Sequence, residues 1–360
     1  MTKREIIKTL LAKEIPERVG FCEYFWPKII DNAWGEQGMP AGTDLMKHFD
    51  TDLRPAVAGL QAGPRPDLET VLEETDEWKI TRGSWGQTIK LWKHKSGMPE
   101  HVGFGISSSE VWKKEFRDQY AAINVRERTD LPALKKEFEY WKAREEFTMF
   151  FSDFVFEKLR SALGDFVMLE SILLEPEWIT DFCTVVTDKT IEYFELLFSE
   201  LGMPDGIYIC EDLGYTKAPF ISPACHREMI LPHHKRFFGF FKDHNLPIIM
   251  HSCGDFRPHL EAIIESGVDC IQPMEAKTGM NVVKLAEQYK DRICFMGNID
   301  VRVLETGDRD KIKEECLSKL NGMKALRAPY IFGSDHSISY SVKLADYEYM
   351  RDLFWKNCRY

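Results

Sequence analysis

Short β-rich runs alternate with longer amphipathic segments through the second half of this 360-residue chain. The β-rich runs are continuously apolar rather than alternating, which is typical of parallel strands buried on both faces. They are GIYICED (206–212), LPIIMHSC (246–253), DCIQPME (269–275), RICFMGNID (292–300) and APYIFGSDH (328–336). Because a helix-like segment follows each run, the fold is restricted to a closed α/β barrel or an open doubly wound sheet.

The missing nucleotide motifs favour the barrel. The sequence contains neither GxGxxG nor GxxxxGK[ST], the phosphate-binding motifs that would support an open nucleotide-binding sheet. Towards the N-terminus the pattern is less regular, but residues 18–25, 148–153 and 165–171 have the composition of further strands. We therefore predict a single (β/α)8 TIM barrel domain over residues 1–360.

Residues 72–105 follow a different pattern. Apolar and polar residues alternate there, with Trp78, Trp85 and Trp92 placed around the turn sequence Gly83-Ser84-Trp85-Gly86. Alternation with a glycine-containing turn predicts an antiparallel β-hairpin inserted into the barrel. Such a hairpin would stabilise the fold, cover the opening of the barrel or dock a partner protein.

Composition narrows the possible partners and compartment. The formal net charge of −11 disfavours binding to nucleic acid or to an anionic membrane. The nine cysteines include no CxxC pair, and no stretch has the length and apolar character of a signal peptide core or a membrane span. We expect a cytoplasmic protein that binds neither nucleic acid nor membrane.

Polar side chains follow the five clearest strands. Since the carboxyl ends of parallel strands meet at one rim, these side chains should converge there and form the site. The rim residues are Glu211, Asp212, His251, Cys253, Gln272, Glu275, Asn298, Asp300, Asp335 and His336. Glu23 and Tyr24, after the first strand, would line the barrel opening or merely cap it.

His251 and Cys253 point to a metal. Residues two apart on an extended segment project to the same face, and imidazole and thiolate are the ligands that zinc prefers. A third ligand would come from His336 and a fourth from Glu211, Asp212 or substrate. The alternative is a buried histidine beside an inert cysteine. For His233 and His234, we predict a solvated or half-buried basic helix face rather than ligands.

Three segments carry a resemblance to a known family. HSCGDFRPHLEAIIESGVDCIQPMEA, ICFMGNIDVRVLETGDRDKIKEE and APYIFGSDHSIS resemble the uroporphyrinogen decarboxylase superfamily, specifically its corrinoid-dependent methyltransferase-like branch. The resemblance covers roughly residues 165–350 and implies a (β/α)8 barrel. Decarboxylases of the superfamily carry an arginine-rich stretch after the first strand, whereas CEYFWPKII here has no arginine. A polycarboxylate substrate would therefore meet Glu23 instead of cations.

The methyltransferase branch implies zinc held by an H-x-C pair and a later cysteine. His251 and Cys253 match the pair, but His336 stands where the later cysteine is expected. The resemblance thus implies zinc on His251, Cys253 and His336, and Glu211 or Asp212 would complete the ligand set or orient His251. It also implies a corrinoid supplied by a partner protein, since the chain lacks the cobalamin motif DxHxxG, and a possible homodimer.

The resemblance thus implies a zinc-dependent methyltransferase that acts on a small methyl donor or acceptor, including in the direction of demethylation. The predicted acids are Asp212, Asp255 and Asp335. Substrate would be bound by Glu23, Tyr24, Gln272, Glu275, Asn298 and Asp300. Two alternatives stay open: a decarboxylase of a tetrapyrrole or smaller aromatic acid, and a non-catalytic binding barrel.

Overall fold

A curled eight-stranded sheet forms the centre of the protein in a computed structural model that describes residues 1–95 and 99–360. Its strands are β1 (Gly20–Phe21), β2 (Leu53–Ala58), β7 (Phe147–Asp153), β8 (Gly206–Cys210), β9 (Ile248–Ser252), β10 (Cys270–Pro273), β11 (Cys294–Met296) and β12 (Tyr330–Phe332). Their spatial order is β1-β12-β11-β10-β9-β8-β7-β2, and every neighbouring pair is parallel.

The two edges of this sheet meet at Asp52. Its backbone amide donates to the carbonyl oxygen of Phe21 at 2.8 Å. Its carboxylate accepts from the Phe21 amide at 2.7 Å and from the Arg18 guanidinium at 2.7 and 2.8 Å. The contact brings β2 against β1, so the sheet curls into the predicted α/β barrel.

The inserted segment has more strands than the predicted hairpin. It forms a four-stranded antiparallel sheet, and residues 96–98 of the predicted segment lie outside the described residues. Trp85, in the predicted turn, packs on Tyr120 and Phe182, whereas Trp78 and Trp92 pair with each other across the sheet. The strands are β3 (Thr70–Glu74), β4 (Trp78–Arg82), β5 (Thr88–Trp92) and β6 (Glu100–Gly103).

Helices surround the barrel. Short π segments lie at Ile30–Trp34, Trp112–Phe116 and His226–Ile230, and short 3-10 segments at Pro66–Leu68, Arg257–His259 and Ala276–Thr278. The α-helices are α1 (Lys3–Leu11), α2 (Leu45–His48), α3 (Ser109–Val111), α4 (Arg117–Ala121), α5 (Leu131–Lys142), α6 (Val155–Leu174), α7 (Pro176–Leu201), α8 (Pro223–Cys225), α9 (Leu231–Asp243), α10 (Leu260–Glu265), α11 (Val282–Tyr289), α12 (Val301–Glu305), α13 (Arg309–Ala325) and α14 (Leu344–Asn357).

Helix α1 closes the amino end of the barrel. Thr2 and Glu5 form a capping box at its start. Its buried residues Ile6, Ile7 and Leu10 pack against a cluster that includes residues from the first half of several barrel strands. The opposite end, where the strands reach their carboxyl termini, is called the mouth below, and it is the end available for a site.

The prediction of a strand at 165–171 is wrong, because these residues belong to α6. Met168 and Ile172 are one helical turn apart and both are buried, while Phe166 is 79% exposed. Gly164, at φ 76°, breaks the helix where the Phe104 ring packs on it. Within the described chain, no helix combines the length and apolar character that crossing a membrane requires.

Candidate metal centre

Strand β9 delivers His251 and Cys253 to the mouth. Its first residues are buried, and the His251 side chain is 22% exposed at the point where the strand ends. The Nε2 atom of His251 lies 3.2 Å from the Sγ atom of Cys253. Gly254 follows at φ 73°, and an added Cβ there would lie 2.2 Å from the carbonyl carbon of Gly214. Only glycine therefore allows the chain to turn directly after Cys253.

The His251 ring is oriented from inside the barrel. Its Nδ1 atom contacts Oε1 of Gln272 on β10 and lies 3.2 Å from the hydroxyl of Tyr208. That hydroxyl donates to the same Gln272 oxygen at 2.7 Å. Since an amide oxygen only accepts, Nδ1 carries the imidazole proton, and Nε2 presents its lone pair towards Cys253.

Asp212, in the loop after β8, completes a first group of ligand atoms. Its Oδ1 accepts from the Cys253 amide at 2.8 Å and lies 3.4 Å from Nε2 of His251. Ligand atoms of Asp212, His251 and Cys253 all lie within 4.8 Å of one another. Burial, with the negative charges of Asp212 and Glu275, raises the pKa of the Cys253 thiol well above its ordinary value.

A second group shares Cys253. Ligand atoms of Cys253, Glu275 and His336 also lie within 4.8 Å of one another. Glu275 accepts from the Gly254 amide at 3.1 Å and pairs with Lys277 at 3.0 Å. The structure therefore places the predicted ligands His251 and His336 each beside Cys253, in two ligand groups that share this cysteine. Asp212, which the sequence offered as a fourth ligand or an acid, joins the first group, and Glu275, which was assigned to substrate binding, joins the second.

Glu211 does not join either group. Neighbouring side chains at a strand end point to opposite sides, so Asp212 faces the mouth and Glu211 faces the helices. The Glu211 carboxylate is fully buried and contacts His234 Nε2 at 2.6 Å. It also accepts from the amides of Phe156 and Glu157 at 3.2 and 2.9 Å. The structure thus places Glu211 away from the position expected for a fourth ligand.

Two of the predicted acids have their carboxylates occupied elsewhere. Asp255 forms a two-point pair with Arg257, at 2.8 and 2.7 Å, and this pair lowers the pKa of the Asp255 carboxyl. Asp335 accepts from the amides of Ala276 and Val301 at 2.8 and 3.0 Å. Burial raises the pKa of Asp335. Both side chains hold loops of the rim in place.

Asn298 and Asp300 are likewise engaged in the backbone. Asn298 is buried, accepts from the Val282 amide at 2.9 Å and donates to the Met280 carbonyl at 3.2 Å. Asp300 is the N-cap of α12 and pairs with Arg302. The Asn298 side chain therefore fixes the connection between β10 and α11, and Asp300 fixes the start of α12 after β11. The structure brings neither side chain to the ligand groups.

Glu23 and Tyr24 lie at the mouth, just after the carboxyl end of β1. Burial raises the pKa of the Glu23 carboxyl to about 8, although Ser334 and the Tyr24 amide donate towards it. The Ser334 hydroxyl contacts both Glu23 and the His336 carbonyl, and its single hydrogen serves both contacts only if Glu23 is protonated. The Tyr24 hydroxyl is buried and finds no partner among the described residues.

Sequence reasoning missed a group of buried histidines behind β8. The prediction of a solvated or half-buried face at His233 and His234 is wrong, because both side chains are buried, His234 completely. The His226 ring lies 5.5 Å from the His234 ring and 4.6 Å from the His259 ring. The signal was present, because His234 precedes buried Phe237, Phe238 and Phe241 at helical spacing.

Comparison with known proteins supports the fold. The family model described as uroporphyrinogen decarboxylase (URO-D) matches residues 166–355. A methyltransferase from Methanosarcina mazei has a similar structure, with a TM-score of 0.67, 16% sequence identity and 99% of each chain covered. A Xaa-Pro dipeptidase with bound methionine covers 62% of this chain and 56% of its own at 11% identity, but its TM-score of 0.31 is too low for a shared fold.

Proposed function

The chain belongs to the uroporphyrinogen decarboxylase family, and from that premise we propose that it is a zinc-dependent methyltransferase. It moves a methyl group between a small methylated substrate or thiol and the corrinoid of a partner protein. The convergence of His251, Asp212, Glu275 and His336 on the Cys253 thiol is the single observation that carries this proposal. The fold shared with a methyltransferase is consistent with it.

The donor set fits zinc. Imidazole nitrogen, thiolate sulfur and carboxylate oxygen are the ligands of catalytic zinc sites, which hold the ion with three protein ligands and keep one position open. Cys253 and His251 would be constant ligands, with His336, Asp212 and Glu275 available to complete the set. When bound, zinc would lower the pKa of a substrate thiol or stabilise the leaving atom of a methylated substrate.

The chain's own residues prepare this site. Gln272 holds the proton of His251 on Nδ1, so Nε2 is free to bind. Asp212 lies against the Cys253 amide and is the predicted acid nearest to the ligands. Glu23 holds a proton near pH 7, and the buried Tyr24 hydroxyl, which has no partner within residues 1–95 and 99–360, would hydrogen-bond to substrate. The side chains of Asp255, Asp335, Asn298 and Asp300 support the loops that carry them.

The corrinoid would come from a partner protein, since the chain contains no DxHxxG motif. The partner must reach the ligands from the mouth, because α1 closes the other end of the barrel. We place the protein in the cytoplasm because all nine cysteines are unpaired, as expected in a reducing compartment. A homodimer is consistent with this function but is not required by the site, whose ligands all come from one chain.

The second candidate is a decarboxylase of a tetrapyrrole or smaller aromatic acid, favoured by the family match over residues 166–355. The segment after β1 weighs against it. CEYFWPKII contains no arginine, and it places the buried carboxyl group of Glu23 where a polycarboxylate substrate would need cations. Release of carbon dioxide from such acids by purified protein would support this candidate.

Metal analysis tests the methyltransferase proposal. Wild-type protein, Cys253→Ala and His336→Ala are purified identically, reloaded with zinc and measured by elemental analysis. Cys225→Ala is the matched control, because Cys225 is partly exposed and lies in α8, outside both ligand groups. We expect about one zinc per chain in wild type and control, and loss of zinc in both site variants. No zinc in wild type would overturn the proposal.

A further inference from the structure

The Glu211 carboxylate joins three elements. It lies one residue beyond the end of β8 and accepts from the amides of Phe156 and Glu157 in the first turn of α6. Nε2 of His234, in α9, lies 2.6 Å from its Oε1 atom. An anionic group at the start of a helix is stabilised by the free amides there. The end of β8 is therefore tied to two helices through one side chain.

These contacts are shielded from water. Glu211 and His234 are both 0% exposed, the buried ring of His226 lies next to His234, and the buried ring of His259 lies next to His226. Phe154 and Phe238 pack on the His234 ring from other directions. In such surroundings a hydrogen bond is strong, and a donor left without its acceptor is costly. The pair cannot be loosened without disturbing the elements around it.

The next residue along the chain is Asp212, whose Oδ1 accepts from the Cys253 amide at 2.8 Å. On either side of Asp212 the backbone is bonded to β9: the Glu211 amide donates to the His251 carbonyl at 2.9 Å, and the Leu213 amide donates to the Ser252 hydroxyl at 3.1 Å. The position of the Glu211 backbone therefore decides where Asp212 meets Cys253.

We propose that Glu211 is a positioning residue whose carboxylate, held by His234 and the start of α6, fixes the end of β8 and thereby holds Asp212 against Cys253 and His251. Glu211 then acts without touching metal or substrate. The relevance of this role to methyl transfer rests on the proposed function, whereas the geometry it describes does not depend on a metal.

Hydrogen exchange of the Cys253 amide measures this geometry directly, because that amide donates to Asp212. The exchange rate is measured by NMR or fragmentation mass spectrometry on full-length protein treated with chelator. The variants are Glu211→Gln and His234→Gln, with Asp212→Ala as the positive control. His233→Gln is the matched negative control, since His233 is a neighbouring buried histidine of α9 outside the Glu211 contacts.

We expect Glu211→Gln and His234→Gln to speed exchange of the Cys253 amide about tenfold, approaching Asp212→Ala, because local opening becomes easier. His233→Gln should match wild type. Unchanged exchange in Glu211→Gln, or in His234→Gln if the first variant does not fold, would overturn the proposal. Zinc affinity measured on the same proteins separates the positioning role of Glu211 from the proposed function. Faster exchange in the variants without zinc binding in any of the proteins would contradict the proposed function but not the positioning role.

Discussion

Gln272 sets the proton of His251. The Nδ1 atom of His251 contacts Oε1 of Gln272, and Nε2 lies 3.2 Å from the Cys253 sulfur. One imidazole thus has its proton directed into the barrel and its lone pair directed at a thiol. A neutral histidine binds a metal only through its unprotonated nitrogen, so Gln272 decides whether Nε2 of His251 is available as a ligand.

Replacing Gln272 by leucine should therefore weaken zinc binding. We expect Gln272→Leu to lower zinc affinity about 10–100-fold, the usual effect of removing a partner of a histidine ligand. Competition with a chromophoric chelator measures the dissociation constant.

Two further variants make this test specific. Gln288→Leu, on the exposed face of α11, is the control for the substitution itself and should bind zinc like wild type. Tyr208→Phe removes the hydroxyl that donates to Gln272 but keeps the contact between Gln272 and His251, so it should lose less affinity than Gln272→Leu. Equal affinity in Gln272→Leu and wild type would contradict the role of Gln272.

The convergence at the mouth was predictable because it follows from parallel strands alone. Continuous apolar runs that end in polar residues place those residues at one rim, whatever the helices between them do. His251 and His336 each lie beside Cys253 for this reason. The direction in which Glu211 and Asp212 point was not predictable from the sequence. Successive side chains point to opposite sides, so a shift of the strand end by one residue would turn Glu211 towards the mouth and Asp212 towards the helices.

Other misses have local causes. Strand β2 was not predicted, and Pro55 in its sequence LRPAVA disfavours a strand. In the structure Pro55 lies at a register shift between β2 and β7, and β2 is the last strand in the order of the sheet, where proline is tolerated. Residues 165–171 have strand-like composition, but Gly164 separates them from the first half of α6 and hides the helical period. Neither cause can be read from composition within a short window.

Gly164 should not accept a side chain. At φ 76° an L-residue is strained, and an added Cβ would lie 2.5 Å from the Phe104 ring. We expect Gly164→Ala to lower the free energy of unfolding by about 1–3 kcal/mol. Gly239→Ala is the matched control, because Gly239 lies in α9 with open space around its Cβ, and it should gain up to about 1 kcal/mol. Urea unfolding of both variants checks the opposite signs.

The buried histidines should make the protein sensitive to acid. Burial lowers the pKa of His226 to about 2 and that of His259 to about 4, below the ordinary value of 6.5. The folded state keeps these rings neutral, while the unfolded chain binds protons below pH 6.5. Stability is thus fully present above that pH and falls as the pH drops, by about 1.4 kcal/mol per pH unit for each ring.

Urea midpoints of His226→Leu and wild type at pH 7 and pH 5 test this acid sensitivity. We expect the variant to lose less stability than wild type between the two conditions. His244→Gln, at an exposed position of the chain, should follow wild type. Parallel loss of stability in His226→Leu and wild type would show that His226 does not contribute to the acid sensitivity.

Glu23 should have the opposite dependence on pH. Burial raises its pKa from 4.5 to about 8 in the folded protein, so folding takes up a proton between these values. The stabilisation is fully present below pH 4.5 and is lost as the pH rises towards 8, by about 1.4 kcal/mol per pH unit.

Glu23→Gln keeps a neutral side chain of similar shape and removes this loss. Thermal unfolding at pH 6 and pH 8 should show a smaller decrease for Glu23→Gln than for wild type, whereas Glu36→Gln, at an exposed position, should decrease like wild type. An equal decrease in all three proteins would mean that Glu23 is ionised in the folded state.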